Sequence, residues 1–290
     1  MSRIVWHALD LVGRWAASAY VVGPALPDAL AACKALEARG FASTICAWNA
    51  DGSPPDENAA RYGAAVDAIK AERLDCYLSF KAQEVDFSAT RVRALFERAA
   101  AEGVRIHFDC RGPEQTDRMF ELIEGLPLSA GLVGCTIPGR WRRSLADADR
   151  AAALGLPIRV VKGQWEDPEA RDIDLTSGFL AVIERLAGRA RAVAVASHDA
   201  ALARLSLDRL CAAGTACSLE LIYGLPSRRA LAVAQDLAVP VRVYIPYGFP
   251  RMPYLVAEMK RNPRIALWVM RDLVRGSLAP DFSLPRGQRR

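Results

Sequence analysis

A TIM-type (β/α)8 barrel of the α/β class is predicted for this 290-residue chain by three features of its sequence. Short apolar, β-branched runs alternate with amphipathic stretches from residue 42 onward, which is the pattern of strand–helix units. Eight such units fit within roughly 220 residues, close to the ~250 typical of an eight-stranded parallel barrel. An open doubly wound sheet would favour a glycine-rich phosphate loop after the first strand, and ASTICAWNADGSPP contains no GxGxxG.

In order, the predicted strands are ASTICAW, LDCYLSFK, VRIHFDC, SAGLVGCTI, PIRVVKG, ARAVAVAS, TACSLELIYG and VPVRVYIPYG. Between them, SATRVRALFERAAAE places Val92, Leu95 and Phe96 at helical spacing, and 199–213 repeats the pattern with Leu202, Leu205 and Leu210. A further helix is predicted over 227–237. Gly103, Gly125, Gly155, Gly188 and Gly214 fall between a helix and the next strand, where a left-handed C-cap residue belongs. Residues 1–41 are expected to form an N-terminal helical segment packed on the barrel, 42–276 the barrel with a C-terminal helix over 263–275, and 277–290 a flexible tail.

Composition narrows the function. A formal charge of +5, without a run of like charges, gives no footprint for nucleic acid. Seven cysteines without CxxC spacing read as reduced, mostly strand-borne small hydrophobes, and three histidines do not suffice for a metal site. Asp10 and Arg14 interrupt the apolar N-terminus, so neither a signal peptide nor a membrane span is expected, and a cytoplasmic location is.

Barrel chemistry gathers at the C-terminal strand ends, and here those ends are polar. Lys81 closes the second strand. Arg105, His107 and Asp109 share one face of the third by the period of two. Arg159 and then Lys162-Gly163 close the fifth, Ser197-His198-Asp199 the sixth, and Tyr244 and Tyr247-Gly248 the eighth. Cations predominate in this set, which suits an anionic or electron-rich ligand. Each residue also has a structural reading: His107 as an interior hydrogen-bonding side chain, Asp199 as a helix cap, and Lys81, Arg159 and Asp109 as an ion-pair network.

Several segments, in order, resemble the proline dehydrogenase family: IRVVKGQWE at 158–166, VASHD at 195–199, LELIYGLP at 219–226, and VRVYIPYG followed by PYL at 253–255. The resemblance implies an FAD-dependent barrel that oxidises an amine C–N bond to an imine, passing electrons to a quinone or another acceptor. By position, it implies that Lys81, Asp109 and Arg159 act in catalysis and that Arg159, Lys162, Gly163, Trp165, Ser197 and His198 hold the flavin. Lys81, Tyr244, Tyr254 and Glu258 would contact a small-molecule amine. Where the family carries two arginines that clamp the proline carboxylate, this sequence has Ala257 and Glu258. The glutamine expected after the fourth strand has no counterpart in CTIPGRW. A cyclic amine other than proline is therefore the expected substrate. A Schiff-base aldolase using Lys81 or Lys162, and a non-catalytic binding barrel, are the alternatives.

Overall fold

The computed structural model describes residues 21–50, 52–128 and 131–248. Eight parallel strands close into one barrel in sequence order: β1 (Ala42–Trp48), β2 (Cys76–Phe80), β3 (Ile106–Phe108), β4 (Val133–Pro138), β5 (Pro157–Val161), β6 (Ala192–Ala196), β7 (Cys217–Ile222) and β8 (Val241–Gly248). Seven of the eight predicted runs contain their strand, and β4 extends one residue beyond its predicted run, to Pro138. Closure comes from β1 against β8, in register from Ala42 opposite Arg242 to Trp48 opposite Gly248.

Helix α1 (Leu26–Glu37) precedes the barrel, within the predicted N-terminal segment. The crossovers are α2 (Pro55–Ala71), α3 (Ala89–Ala101), α4 (Thr116–Glu124), α5 (Ser144–Ala153), α6 (Leu175–Leu186), α7 (Ala200–Ala212) and α8 (Arg228–Asp236). The predicted C-terminal helix and tail lie outside the described residues. Gly103, Gly155, Gly188 and Gly214 have φ of +66 to +73°, as C-caps require. Gly125 does not. Its φ is −76°, because its N–H bonds back to the Glu121 carbonyl and Leu126 continues with a bond to Ile123.

Strand residues that point outward are apolar and buried under the helices: Ile45, Leu78, Phe80, Ile106, Phe108, Val133, Cys135, Ile158, Val160, Val193, Val195, Leu219, Leu221, Val243 and Ile245 are each at most 2% exposed. The core of this molecule is therefore the shell between sheet and helices. The alternate residues, facing the barrel axis, are largely polar, and they build the site. No described helix is long and apolar enough to cross a membrane.

Candidate active site

Arg159 projects from β5 to the barrel axis, where its guanidinium is shared by two carboxylates. One amino group reaches Asp109 at 3.0 Å and the other reaches Glu220 of β7 at 2.9 Å. Both Arg159 and Glu220 are buried. Tyr77 from β2 donates its hydroxyl proton to Glu220 at 2.9 Å, and Thr44 from β1 donates to the same carboxylate at 3.1 Å. Asp109 accepts from Thr136 of β4, and from Ser79 of β2. Seven of the eight strands thus deliver polar groups to one connected network, since Tyr244 of β8 hydrogen-bonds Ser79 at 3.2 Å.

Arg159 and Asp109 hold each other ionised. Burial works against the Arg159 cation, but Glu220, Tyr77 and Asp109 outweigh it and keep its pKa above the usual arginine value. Burial likewise opposes ionisation of Asp109, and the nearby Arg159 and Lys81 charges still hold its carboxyl below the usual range. Lys81 follows the same logic: desolvation would lower it, while Cys46, Glu84 and Asp109 keep it protonated above its ordinary value. Its ammonium lies 2.7 Å from the Cys46 sulfur and 3.4 Å from the Ala47 carbonyl. His107 is pushed well below 6.5 by burial and by the Arg159 and Arg105 cations, so it is a neutral ring. Its Nε2 lies 3.2 Å from the Thr136 hydroxyl. Gly134 makes space for that ring, as a Cβ there would come within 2.6 Å of His107 Nδ1.

The expectation of a predominantly cationic rim is corrected by this arrangement. The buried Glu220 and the part-buried Asp109 flank the Arg159 guanidinium, and a third carboxylate, Glu84, accepts from Arg111, Asn49 and Tyr62 behind Lys81. Sequence reading overlooked Glu220, Tyr77, Ser79 and Thr136. Their signal is alternation: in CYLSF, VGCTIP and CSLELI they occupy the inner phase between outward apolar residues.

Around this cluster the remaining expected residues take up definite places. Lys162 follows β5 and pairs with Asp199 at 3.5 Å. Asp199 also caps α7, accepting from the amides of Ala201 and Leu202. Gly163 adopts φ +90°, a turn that a side chain would strain. Arg140, in the loop that lacks the family's glutamine, donates to the carbonyls of Gly163 and Gln164 at 3.3 and 3.4 Å. Trp165 is 42% exposed, and its carbonyl accepts from the buried Trp141 indole at 2.8 Å. Ser197 is buried and accepts from the Asp199 amide. His198 is a latch: Nδ1–H donates to the Pro226 carbonyl at 3.0 Å and Nε2 accepts from the Ile222 amide at 2.8 Å. Burial lowers its pKa to about 4 despite the Pro226 carbonyl. Tyr254 and Glu258 lie outside the described residues.

Two observations bear on whether a flat, electron-accepting ring system fits here. The inner face of β6 is three alanines, Ala192, Ala194 and Ala196, each partly exposed while Val193 and Val195 between them are buried. Ala194 lies in register with Arg159, whose Nε–H is buried and has no partner among the described residues. A wall of methyl groups beside an unmet N–H donor suits an aromatic ring that carries acceptor atoms. Among the described residues, no group of three His, Cys, Asp or Glu is placed to hold a metal ion.

No protein-family model matches the chain. Proline dehydrogenase 1 of Bacillus subtilis subsp. natto is 22% identical over 280 residues, covering 90% of this chain and 92% of that protein. Proline dehydrogenase of Deinococcus radiodurans is 25% identical over 283 residues, covering 90% of each. Among solved structures, proline utilization A (PutA) from Bdellovibrio bacteriovorus, inactivated by N-propargylglycine, superposes with a TM-score of 0.73 at 17% identity. PutA from Corynebacterium freiburgense gives a TM-score of 0.72 at 18% identity and covers 99% of this chain. The chain spans 35% and 37% of those two PutA chains, and at that identity the likeness shows the fold. The chain is thus a (β/α)8 barrel that is similar in sequence, over nine-tenths of its length, to bacterial proline dehydrogenases.

Proposed function

We propose that this protein is an FAD-dependent oxidoreductase of the proline dehydrogenase type that oxidises the C–N bond of a small cyclic amine to an imine. The observation that supports the reading is Arg159, held between Asp109 and Glu220, with its Nε–H unpartnered among the described residues and its strand position in register with Ala194 of β6. When bound, FAD takes up the two electrons and the hydrogen that leave the amine carbon.

Every other role falls to side chains. Arg159 would donate to an acceptor atom of the ring through Nε while its charge steadies added electron density. Lys162, Gly163, Trp165, Ser197 and His198, on the β5 and β6 ends, would hold the rest of the cofactor. With both ring nitrogens spent on main chain, His198 positions the β6–α7 and β7–α8 corners and transfers no proton. The ionised Asp109 would accept a hydrogen bond from the amine N–H beside Tyr244, the amine binding as its neutral free base so that the nitrogen lone pair is available when the C–H bond breaks. Lys81 supplies a fixed positive charge. It is also a poor candidate for Schiff-base chemistry, which needs a neutral amine, because its neighbours keep it protonated.

Proline is not the preferred substrate on this reading, since Ala257 and Glu258 replace the arginine pair that the family offers to a carboxylate. Two charge-assisted hydrogen bonds are worth about 3–6 kcal/mol together, or ~10²–10⁴ in affinity. The purified protein is expected to show a visible flavin band and to be reduced in stopped flow by pyrrolidine-type amines far better than by L-proline. Colourless, folded protein that takes up no FAD overturns the flavin assignment. Efficient reduction by millimolar L-proline overturns only the substrate preference.

A further inference from the structure

At the opposite end of the barrel, two thiols meet without any role in the site above. Cys211 lies in the last turn of α7 and Cys217 opens β7, and their sulfurs are 3.6 Å apart. The connection between them is a tight turn: Gly214 has φ +68°, its N–H bonds to the Cys211 carbonyl, and the Thr215 N–H bonds to Leu210. That turn fixes the helix end against the strand start, so the sulfurs are held as neighbours. A bonded pair requires about 2.05 Å between sulfurs, so forming the bond brings the two together by about 1.5 Å. Cys211 is exposed, whereas Cys217 is part-buried and burial raises its thiol to about 12.

A second close pair provides an internal contrast. Cys33 and Cys76 are close enough to shift each other's ionisation, but both are buried, Cys33 on the inner face of α1, where a dissolved reagent does not reach. Proximity is common to the two pairs, and solvent access separates them.

We propose that Cys211 and Cys217 form a dithiol site that reduces a small hydroperoxide and closes reversibly to a disulfide. The exposed Cys211 sulfur attacks a peroxide oxygen, the O–O bond breaks, and Cys211 becomes a sulfenic acid with release of hydroxide. The Cys217 sulfur then attacks the Cys211 sulfur, the S–O bond breaks, and the S–S bond forms as a second hydroxide leaves. The two thiol protons end in water, so with hydrogen peroxide the site loses two electrons and the oxidant becomes two waters.

The experiment uses the full chain and hydrogen peroxide, with catalase to stop the reaction. Thiols titrated after denaturation are expected to fall from seven to five over tens of minutes, and to return to seven with dithiothreitol. Peptide mapping of the oxidised protein is expected to yield a cross-link between Cys211 and Cys217. Cys211→Ser abolishes that cross-link, and Cys217→Ser traps a sulfenic acid on Cys211 that a dimedone reagent labels. No thiol loss, conversion of Cys211 to a sulfinic acid without the cross-link, or a disulfide joining two chains overturns the proposal. Because none of these readouts requires bound flavin, the outcome is independent of the proposed oxidoreductase activity.

Discussion

The two faces of the same strands obey different physics. Outward residues such as Leu221 and Ile45 are fully buried and apolar, and they stabilise the barrel by removing surface from water. Inward residues such as Arg159, Glu220 and Tyr77 are almost as deeply buried and Asp109 is part-buried, yet each depends on a specific partner. A hydrophobic shell tolerates a neighbour of roughly the right size. A buried charge tolerates only its counter-charge, since desolvation is met by geometry alone. Alternation by one residue therefore moves a position from forgiving to exacting.

Removing one member of the inner network tests this most severely. Glu220→Leu leaves Arg159 short of a carboxylate in a dry interior, and is expected to cost about 3–5 kcal/mol in urea unfolding. The double variant Arg159→Met/Glu220→Leu should cost less than the sum of the two single changes, because the orphaned charges disappear together. Strict additivity would mean that the pair is not coupled.

On the outer face, Leu221→Ala is expected to cost about 2–5 kcal/mol through lost contacts and a residual cavity. Leu221→Met, which conserves volume, should cost less than about 1.5 kcal/mol. An equally gentle result for Glu220→Gln would erase the contrast between the faces.

Acid provides a smaller, graded test. His198 refuses a proton until about pH 4, whereas the unfolded chain binds one near 6.5. Stability should therefore fall as pH drops from about 6.5 to about 4, by about 1.4 kcal/mol per pH unit for this residue. His107, also lowered, acts in the same direction from 6.5 downward. Asp109 adds its loss only at lower pH: its carboxyl is held below 3.8 in the folded state, so its stabilisation starts to fade as pH falls past 3.8 and is lost as pH falls through the lower folded value. Unfolding midpoints of His198→Gln should show a flatter acid limb than the parent. The smallest effect belongs to the surface: Arg98→Ala, which breaks an exposed pair with Asp67, should change stability by about 1 kcal/mol or less.

Much of the fold was legible because it rests on local pattern. β1 was delimited to the residue, since a β-branched and apolar run stands between Phe41 and Asn49. The strand-end polar residues were legible for the same reason, as Lys81, Asp109 and Arg159 interrupt apolar runs. Glu220 was hidden because its partners are distant in sequence and only barrel closure brings them near. A glutamate in LELIYG reads as a surface residue until the strand is known to be buried on both faces. Thr136 and Ser79 were harder still, because hydroxyls are unremarkable in strands and their role lies in the carboxylate they serve. Gly125 caps its helix without the left-handed conformation, because composition marks where a helix can end, while the hydrogen bonds of the cap and the following residue decide how.

Closure of β1 against β8 carries a consequence for how the molecule assembles. Any arc of four or five strands would expose a strip of unpaired charge where a soluble intermediate usually hides its greasy side. Glu220 draws on donors from β1, β2 and β5, so it finds its full set of partners only when the ring is complete. Partial barrels are thus penalised electrostatically, and the last strand to dock locks the others. Hydrogen exchange should accordingly show β1, β2, β5 and β7 opening as one cooperative unit, with no half-barrel protected alone.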